Sequence, residues 1–252
     1  MALPKCEMDK LRNCYDKLRS ILGDNIEPYE SVELVEKYRR YWKPENVRTL
    51  LLAESHVFTT DLDRTINIPK IPGLNDYPEQ YAKFVYCLGY GERNLTNNHR
   101  HPKRDGTPQF WKTFFSCNNN IDGNSDFCPI LATTNYRQRI RNKIELLKTL
   151  KNYGVWLVDT SIVALYDSGK KPEHKLMSAA IRTSWSGYTS HVIKESNPEH
   201  VIIIGKGVAN TIEDELRKLV GLKYSVIAQP NAHLSAKEHL NNFKEYYRLC
   251  MQ

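Results

Sequence analysis

Gly154-Val155-Trp156-Leu157-Val158-Asp159-Thr160 is an apolar run that halts at a carboxylate and a hydroxyl. Three other stretches repeat the pattern. Thr49-Leu50-Leu51-Leu52-Ala53 runs into Glu54, Ser55 and His56. His200-Val201-Ile202-Ile203-Ile204 runs into Gly205-Lys206-Gly207, and Ser225-Val226-Ile227-Ala228 into Gln229-Pro230-Asn231. Short apolar runs of this kind are the signature of strands buried on both faces, as in parallel sheets. Polar groups collected at their C-terminal ends place a site along that edge of the sheet.

Between these runs the spacing is helical. Helices are predicted over 7–22 (Met8, Leu11, Cys14, Tyr15, Leu18 and Ile21 on one face, Gly23 as the stop), 31–42 (closed by Pro44), 136–152, 175–184 continuing through 189–195, 208–219 and 236–249. Strands are predicted over 48–53, 154–159, 200–205 and 224–228. Strand alternating with helix predicts one α/β domain over 1–252, three-layered α/β/α with a short, mainly parallel central sheet. It carries N-terminal helices over 1–45 and an irregular insertion over about 59–135. Inside that insertion, 78–88 and 108–115 read as short helices carrying aromatics. Asn94 to Asp105 is rich in Asn, His and Arg, and Asn118 to Asn124 is a polar loop. So long an irregular stretch in a compact domain points to function.

The chain has 252 residues and a formal net charge of +7. That balance favours an anionic partner, with nucleic acid ahead of an acidic membrane surface. No run approaches the ~20 apolar residues that span a bilayer, and Met1 to Cys6 lacks the apolar core of a signal peptide. A cytoplasmic protein is expected. The six cysteines form no Cys-x-x-Cys pair and lack His at ligand spacing, so they read as free thiols, with no metal and no cofactor expected. The helix 136–152 is strongly basic (Arg137, Arg139, Arg141, Lys143, Lys148, Lys151), which suits phosphate contacts. Lys37-Tyr38-Arg39-Arg40 reads better as a solvated face with an aromatic core stripe than as a nucleic-acid contact.

Read together, these stretches resemble the uracil-DNA glycosylase superfamily. Gly154-Val155-Trp156-Leu157-Val158-Asp159-Thr160 is similar to that family's Gly-Val-Leu-Leu-Leu-Asn-Thr strand. Ser184-Trp185-Ser186-Gly187-Tyr188-Thr189-Ser190-His191-Val192-Ile193 resembles its Gly-Trp-x-x-Phe-Thr-x-x-Val-Ile helix. Gln229-Pro230-Asn231-Ala232-His233-Leu234-Ser235-Ala236 resembles its closing His-Pro-Ser-Pro-Leu-Ser-Ala loop. Leu52-Ala53-Glu54-Ser55-His56 stands where the family has Gly-Gln-Asp-Pro-Tyr or Gly-Glu-Ala-Pro-Gly. The likeness covers about 47–58 and 150–250. It implies a monomeric enzyme that flips a nucleotide out of the DNA stack and hydrolyses its glycosidic bond.

The resemblance assigns roles residue by residue. Glu54 becomes the carboxylate beside the sugar, with a loop salt bridge or helix cap as its structural alternative. Asp159 falls where the uracil enzymes carry a base-reading Asn. An ionised Asp only accepts hydrogen bonds, which suits the exocyclic amine of cytosine. A protonated Asp159 would address N3 instead, and a loop cap is the structural alternative. Ser55, His56, Gln229 and Asn231 are expected around the base, with Phe58, Tyr86 or Tyr90 stacking on it. Gln229 or Pro230, depending on a one-residue shift, replaces the family's His. Lys206, His233, Leu234 and Ser235 are expected against DNA, Leu234 as a wedge. These substitutions point away from ordinary uracil excision. One branch of the superfamily excises glucosylated hydroxymethylcytosine from viral DNA in anti-phage defence, and the chain is expected there, with the Asn-rich insertion lining an enlarged pocket. The alternatives are excision of uracil or a deaminated base, and a non-catalytic DNA-binding module.

Overall fold

The computed structural model describes residues 4–96, 108–123, 126–166, 173–219 and 223–251. Four strands, β1 (Thr49–Ala53), β2 (Val155–Asp159), β3 (His200–Ile204) and β4 (Lys223–Ile227), form one sheet in the order β2-β1-β3-β4. Every neighbouring pair is parallel. The registers set Ala53 beside Asp159, Leu52 beside Ile203 and Ile204 beside Ile227. All four strands therefore end on one edge, with Glu54, Thr160, Gly205 and Ala228 as the first residues beyond it. The sheet is wholly parallel where a mainly parallel one was expected.

The helices are α1 (Lys5–Leu22), α2 (Tyr29–Tyr41), α3 (Asp61–Arg64), α4 (Pro108–Asn118), α5 (Tyr136–Asn152), α6 (His174–Ser184), α7 (Ser190–Ser196), α8 (Lys206–Leu219) and α9 (Ala236–Met251). A π-helical turn, Trp185–Thr189, joins α6 to α7. Packing sorts them into two groups. α6 contacts α1 and α8, α8 contacts α7, and α4 contacts both α5 and α9. Helices thus flank the sheet, and the long connection from β1 to β2 carries α3, α4 and α5. α1 owes its position to Leu11, Cys14, Tyr15 and Leu18, which recur at helical spacing and are all buried. In the strands, Leu50, Leu51, Leu52, Val201, Ile202 and Ile203 are completely buried. Each such side chain contributes roughly 1.5–3 kcal/mol.

β2 lies at a sheet edge, where unpaired backbone groups must find partners. The Tyr86 hydroxyl accepts from Leu157 N–H at 2.8 Å, and the Trp156 indole donates to Arg39 O at 2.9 Å, tying α2 over this strand.

Residues 78–88 are not helical. Tertiary partners outbid the helix for the backbone groups. Tyr81 N–H donates to Ile66 O at 2.9 Å, and Tyr77 accepts from Leu88 N–H while donating to Tyr86 O, both at 2.7 Å. The aromatics of this stretch pack into the core: Tyr86 stacks on Phe114 and Tyr90 meets Tyr81 edge-on. Among the described residues no helix is long and apolar enough to cross a membrane, and all six cysteines are free thiols.

Candidate functional site

The polar edge of the sheet opens into a cavity of about 300 Å³ lined by Glu54, Ser55, Gln109, Phe110, Tyr166, Ile204, Gln229, Pro230 and Asn231. Ser55 and Phe110 also border a smaller cavity of about 70 Å³, completed by His56, Val57, Lys83, Phe84, Val85, Leu157 and Asp159. Two strand-end loops thus converge on one site: 54–56 from β1 and 229–231 from β4. A larger concavity of about 570 Å³ is a single loop, 69–79, folded over itself away from the strand ends. The strand-end cavity is the better candidate because its polar groups arrive from separate elements.

Gly205 lets the β4 loop close over β3. Its φ of +107° is disfavoured for L side chains, and a Cβ there would stand 2.7 Å from Gln229 Cγ. The Gly205 N–H donates to Ile227 O at 2.7 Å and starts α8 against the last strand.

Glu54 is half-buried, and its Oε2 accepts from the Tyr166 hydroxyl at 2.7 Å. Burial, then the carboxylate itself, pushes the Tyr166 phenol well above its ordinary value, so it remains a protonated donor.

Beneath the cavities runs a buried chain of charges. Glu27 accepts from His56 Nε2 at 2.6 Å and from Ala164 N–H at 2.7 Å. His56 Nδ1 lies 3.4 Å from Asp159 Oδ2. That is an ion-pair separation, too long for a good hydrogen bond, and Nδ1 has no hydrogen-bond partner among the described residues. The same Asp159 oxygen accepts from Arg39 Nη2 at 2.9 Å, and Arg39 continues to Glu36. Glu36 in turn accepts from Arg40 at 2.7 Å and from Tyr188 at 2.9 Å. Burial opposes the charges of His56, Asp159, Arg39 and Glu36, but their partners outweigh it. Asp159 and Glu36 are held below the usual carboxylate range and Arg39 is held cationic. His56, which burial alone would neutralise, is raised to about 9 by Glu27 and Asp159.

These contacts revise several expectations. Against the pull of burial, His56 and Arg39 hold Asp159 below the usual carboxylate range, which favours the acceptor role over a protonated Asp159 addressing N3; both of its contacts fall on Oδ2. His56 is fully enclosed, and of the two cavities it borders only the smaller. Tyr86 and Tyr90 are core residues, and Phe58 lines neither cavity. Phe84, Phe110 and Tyr166 are the aromatics beside the site. On α5, Arg139 and Lys143 are taken up by buried Glu92 at 2.6 and 2.7 Å. Lys151 donates to Tyr41 O and Lys148 pairs with Glu145 at 3.2 Å, which leaves Arg137 and Arg141 as the exposed cations of that helix. On α2, Tyr38 lies in the core as the aromatic stripe requires, but Arg39 is buried rather than solvated.

Lys206 and His233 are exposed and Leu234 is half-buried. Ser235 caps α9 in a reciprocal pair with Glu238, its hydroxyl 2.6 Å from the carboxylate. The Asn94–Asp105 stretch lies outside the described residues from 97 onward. Asn120 borders a different concavity against α9, so from the described insertion Gln109 and Phe110 reach the 300 Å³ cavity.

Sequence reasoning missed Glu27, Arg39, Tyr166, Phe84, Gln109 and Phe110 as site components. The last two sit on a helix that the pattern does predict. Tyr166 follows directly on the loop that leaves β2, a position any strand-end argument reaches.

No protein-family model matches the sequence, and no curated protein does. Among solved structures the chain is similar to a wild-type UNG crystal structure from Nitratifractor salsuginis, with 14% identity, 99% of each chain covered and a TM-score of 0.38. A similarity of that size decides nothing about activity.

Proposed function

We propose that the chain is a DNA glycosylase that flips and excises a modified cytosine, with glucosylated hydroxymethylcytosine as the leading candidate, acting as a cytoplasmic monomer in anti-phage defence. One observation carries this: a carboxylate unpaired with any cation among the described residues, Glu54, stands at the strand-end edge in a cavity shared with the amides of Gln109, Gln229 and Asn231.

Glycosidic cleavage builds positive charge on the sugar and negative charge on the departing base. Glu54 stabilises the first and orients the water whose oxygen bonds to C1′. The bond's electron pair leaves with the base, and the water's proton passes to the carboxylate or the base. Gln229 and Asn231 donate toward the leaving group. Ionised Asp159, an acceptor at the wall of the adjoining cavity, suits a ring bearing an exocyclic amine. The amides around the larger cavity suit a sugar substituent. The motif resemblance along 47–58 and 150–250 and the net charge of +7 support the same reading, with exposed Lys206 and His233 as phosphate contacts.

Mass analysis of free bases released from unmodified, uracil-containing and glucosylated hydroxymethylcytosine DNA tests the proposal. Release of the glucosylated base, lost in Glu54→Gln by about 10²–10⁴-fold, is expected. Release of uracil alone would refute the substrate. Tight DNA binding with no base released would make the chain a binding module.

A further inference from the structure

We infer that Tyr166 is a positioning residue for Glu54, and that it was suited to the task because it holds the carboxylate without neutralising it. The inference rests on the glycosylase reading and assigns a role to a residue that neither the motifs nor the composition point to.

Two observations carry it. The first is a contrast among the enclosed carboxylates. Glu27 is met by His56, Glu36 by Arg39 and Arg40, Asp159 by Arg39 and His56, and Glu92 by Arg139 and Lys143. Glu54, half-buried beside them, has no such cation among the described residues, and the donor that meets it is the neutral Tyr166 hydroxyl at 2.7 Å. An ammonium or guanidinium in that place would quench much of the charge that a cationic sugar needs. A phenol fixes the carboxylate's orientation by one charge-assisted hydrogen bond and leaves its charge in place.

The second is how Tyr166 is delivered. The segment 160–165 is laced onto the end of β1. Thr160 donates to Ala53 O through its N–H at 2.7 Å and its hydroxyl at 2.6 Å. Ser161 N–H donates to Glu54 O at 3.0 Å, Ala164 N–H to Glu27 at 2.7 Å and Leu165 N–H to Ser55 Oγ at 3.3 Å. The phenol thus starts from a backbone tied to the residue it holds, before and after the acid. Both Tyr166 and Glu54 line the 300 Å³ cavity. The one contact occupies Oε2, leaving Oε1 free of it to align water.

Tyr166→Phe keeps the ring and removes the donor. With base release as the readout, kcat should fall about 10–100-fold while KM stays within about twofold, the signature of lost alignment rather than lost binding. In a Glu54→Gln background the same change should cost less than about twofold, because the group it positions is gone. Tyr166→Lys, which brings a donor and a charge, should lose at least as much kcat as Tyr166→Phe. A loss confined to KM, a full loss persisting in the Glu54→Gln background, or activity restored by lysine would overturn the positioning role while leaving the glycosylase reading intact. A wild-type protein that releases no base from any DNA would overturn both.

Discussion

Raising the pH should strip stability from this protein in a window set by one imidazole. His56 is wholly enclosed between Glu27 and Asp159, and its conjugate acid is raised from 6.5 to about 9. A group whose folded value lies above its unfolded value stabilises the fold while protonated in both states and loses that contribution as pH climbs. The His56 contribution is therefore complete below about 6.5 and gone above about 9. At 1.36 kcal/mol per unit, the shift corresponds to roughly 3 kcal/mol, a large share of a typical ~5–15 kcal/mol stability. Chemically, the neutral ring keeps a single N–H and leaves one of its two carboxylates buried without its proton. Urea unfolding of the wild type at pH 6, 7.5 and 9.5 gives the total, and His56→Gln supplies the background from other titrating groups. The stability gap between the two should shrink by about 3 kcal/mol across that range. Should His56→Gln fail to fold, the His56 ring resonances followed by NMR give the same quantity as a titration midpoint near 9. A midpoint at or below 6.5, or a gap that widens with pH, would refute the claim that the two carboxylates outweigh burial.

Two further outcomes follow from backbone geometry. Gly205→Ala forces a side chain into a φ of +107° and against Gln229; a loss of roughly 1–3 kcal/mol is expected, with base release reduced alongside it, measured by thermal unfolding and the excision assay. Tyr86→Phe leaves the Leu157 N–H at the sheet edge without its acceptor, and a loss of about 1–3 kcal/mol by urea titration is expected, with no new cavity to complicate it.

The architecture was legible because it depends on short-range pattern. Leu50–Leu52, Val155–Val158 and Val201–Ile204 announce buried strands by themselves, and the bounds of α5 match its helical spacing residue for residue. Glu54 was legible for the same reason, as the first residue past such a run. What stayed hidden depends on distant partners. Nothing near Arg39 announces that it will be buried against Asp159, 120 residues away. Nothing near Glu27 announces that it will hold His56 and the Ala164 N–H, 137 residues on. A charged residue in sequence defaults to solvent, and only the fold shows which ones are paired and enclosed. The 78–88 stretch failed in the same way: its aromatics were visible, but the distant backbone partners that replace helix bonds were not.

The buried charge chain also constrains the order in which this molecule is made. It joins residues 27, 36, 39, 56 and 159, and β1 can pair with β2 only across the whole intervening connection. As the chain leaves the ribosome, α1, α2 and the β1 sequence appear with Glu27, Glu36, Arg39 and His56 still facing water. Glu36 and Arg39 can pair within α2, but the link from Arg39 to His56 waits for Asp159. Sequence-distant pairings of this kind are slow to form. The polar floor of the site is thus completed late, after the two strand partners on which it depends have met, and a truncated chain ending before residue 159 holds nearly all of its charges but lacks the carboxylate that joins the α2 pairs to His56.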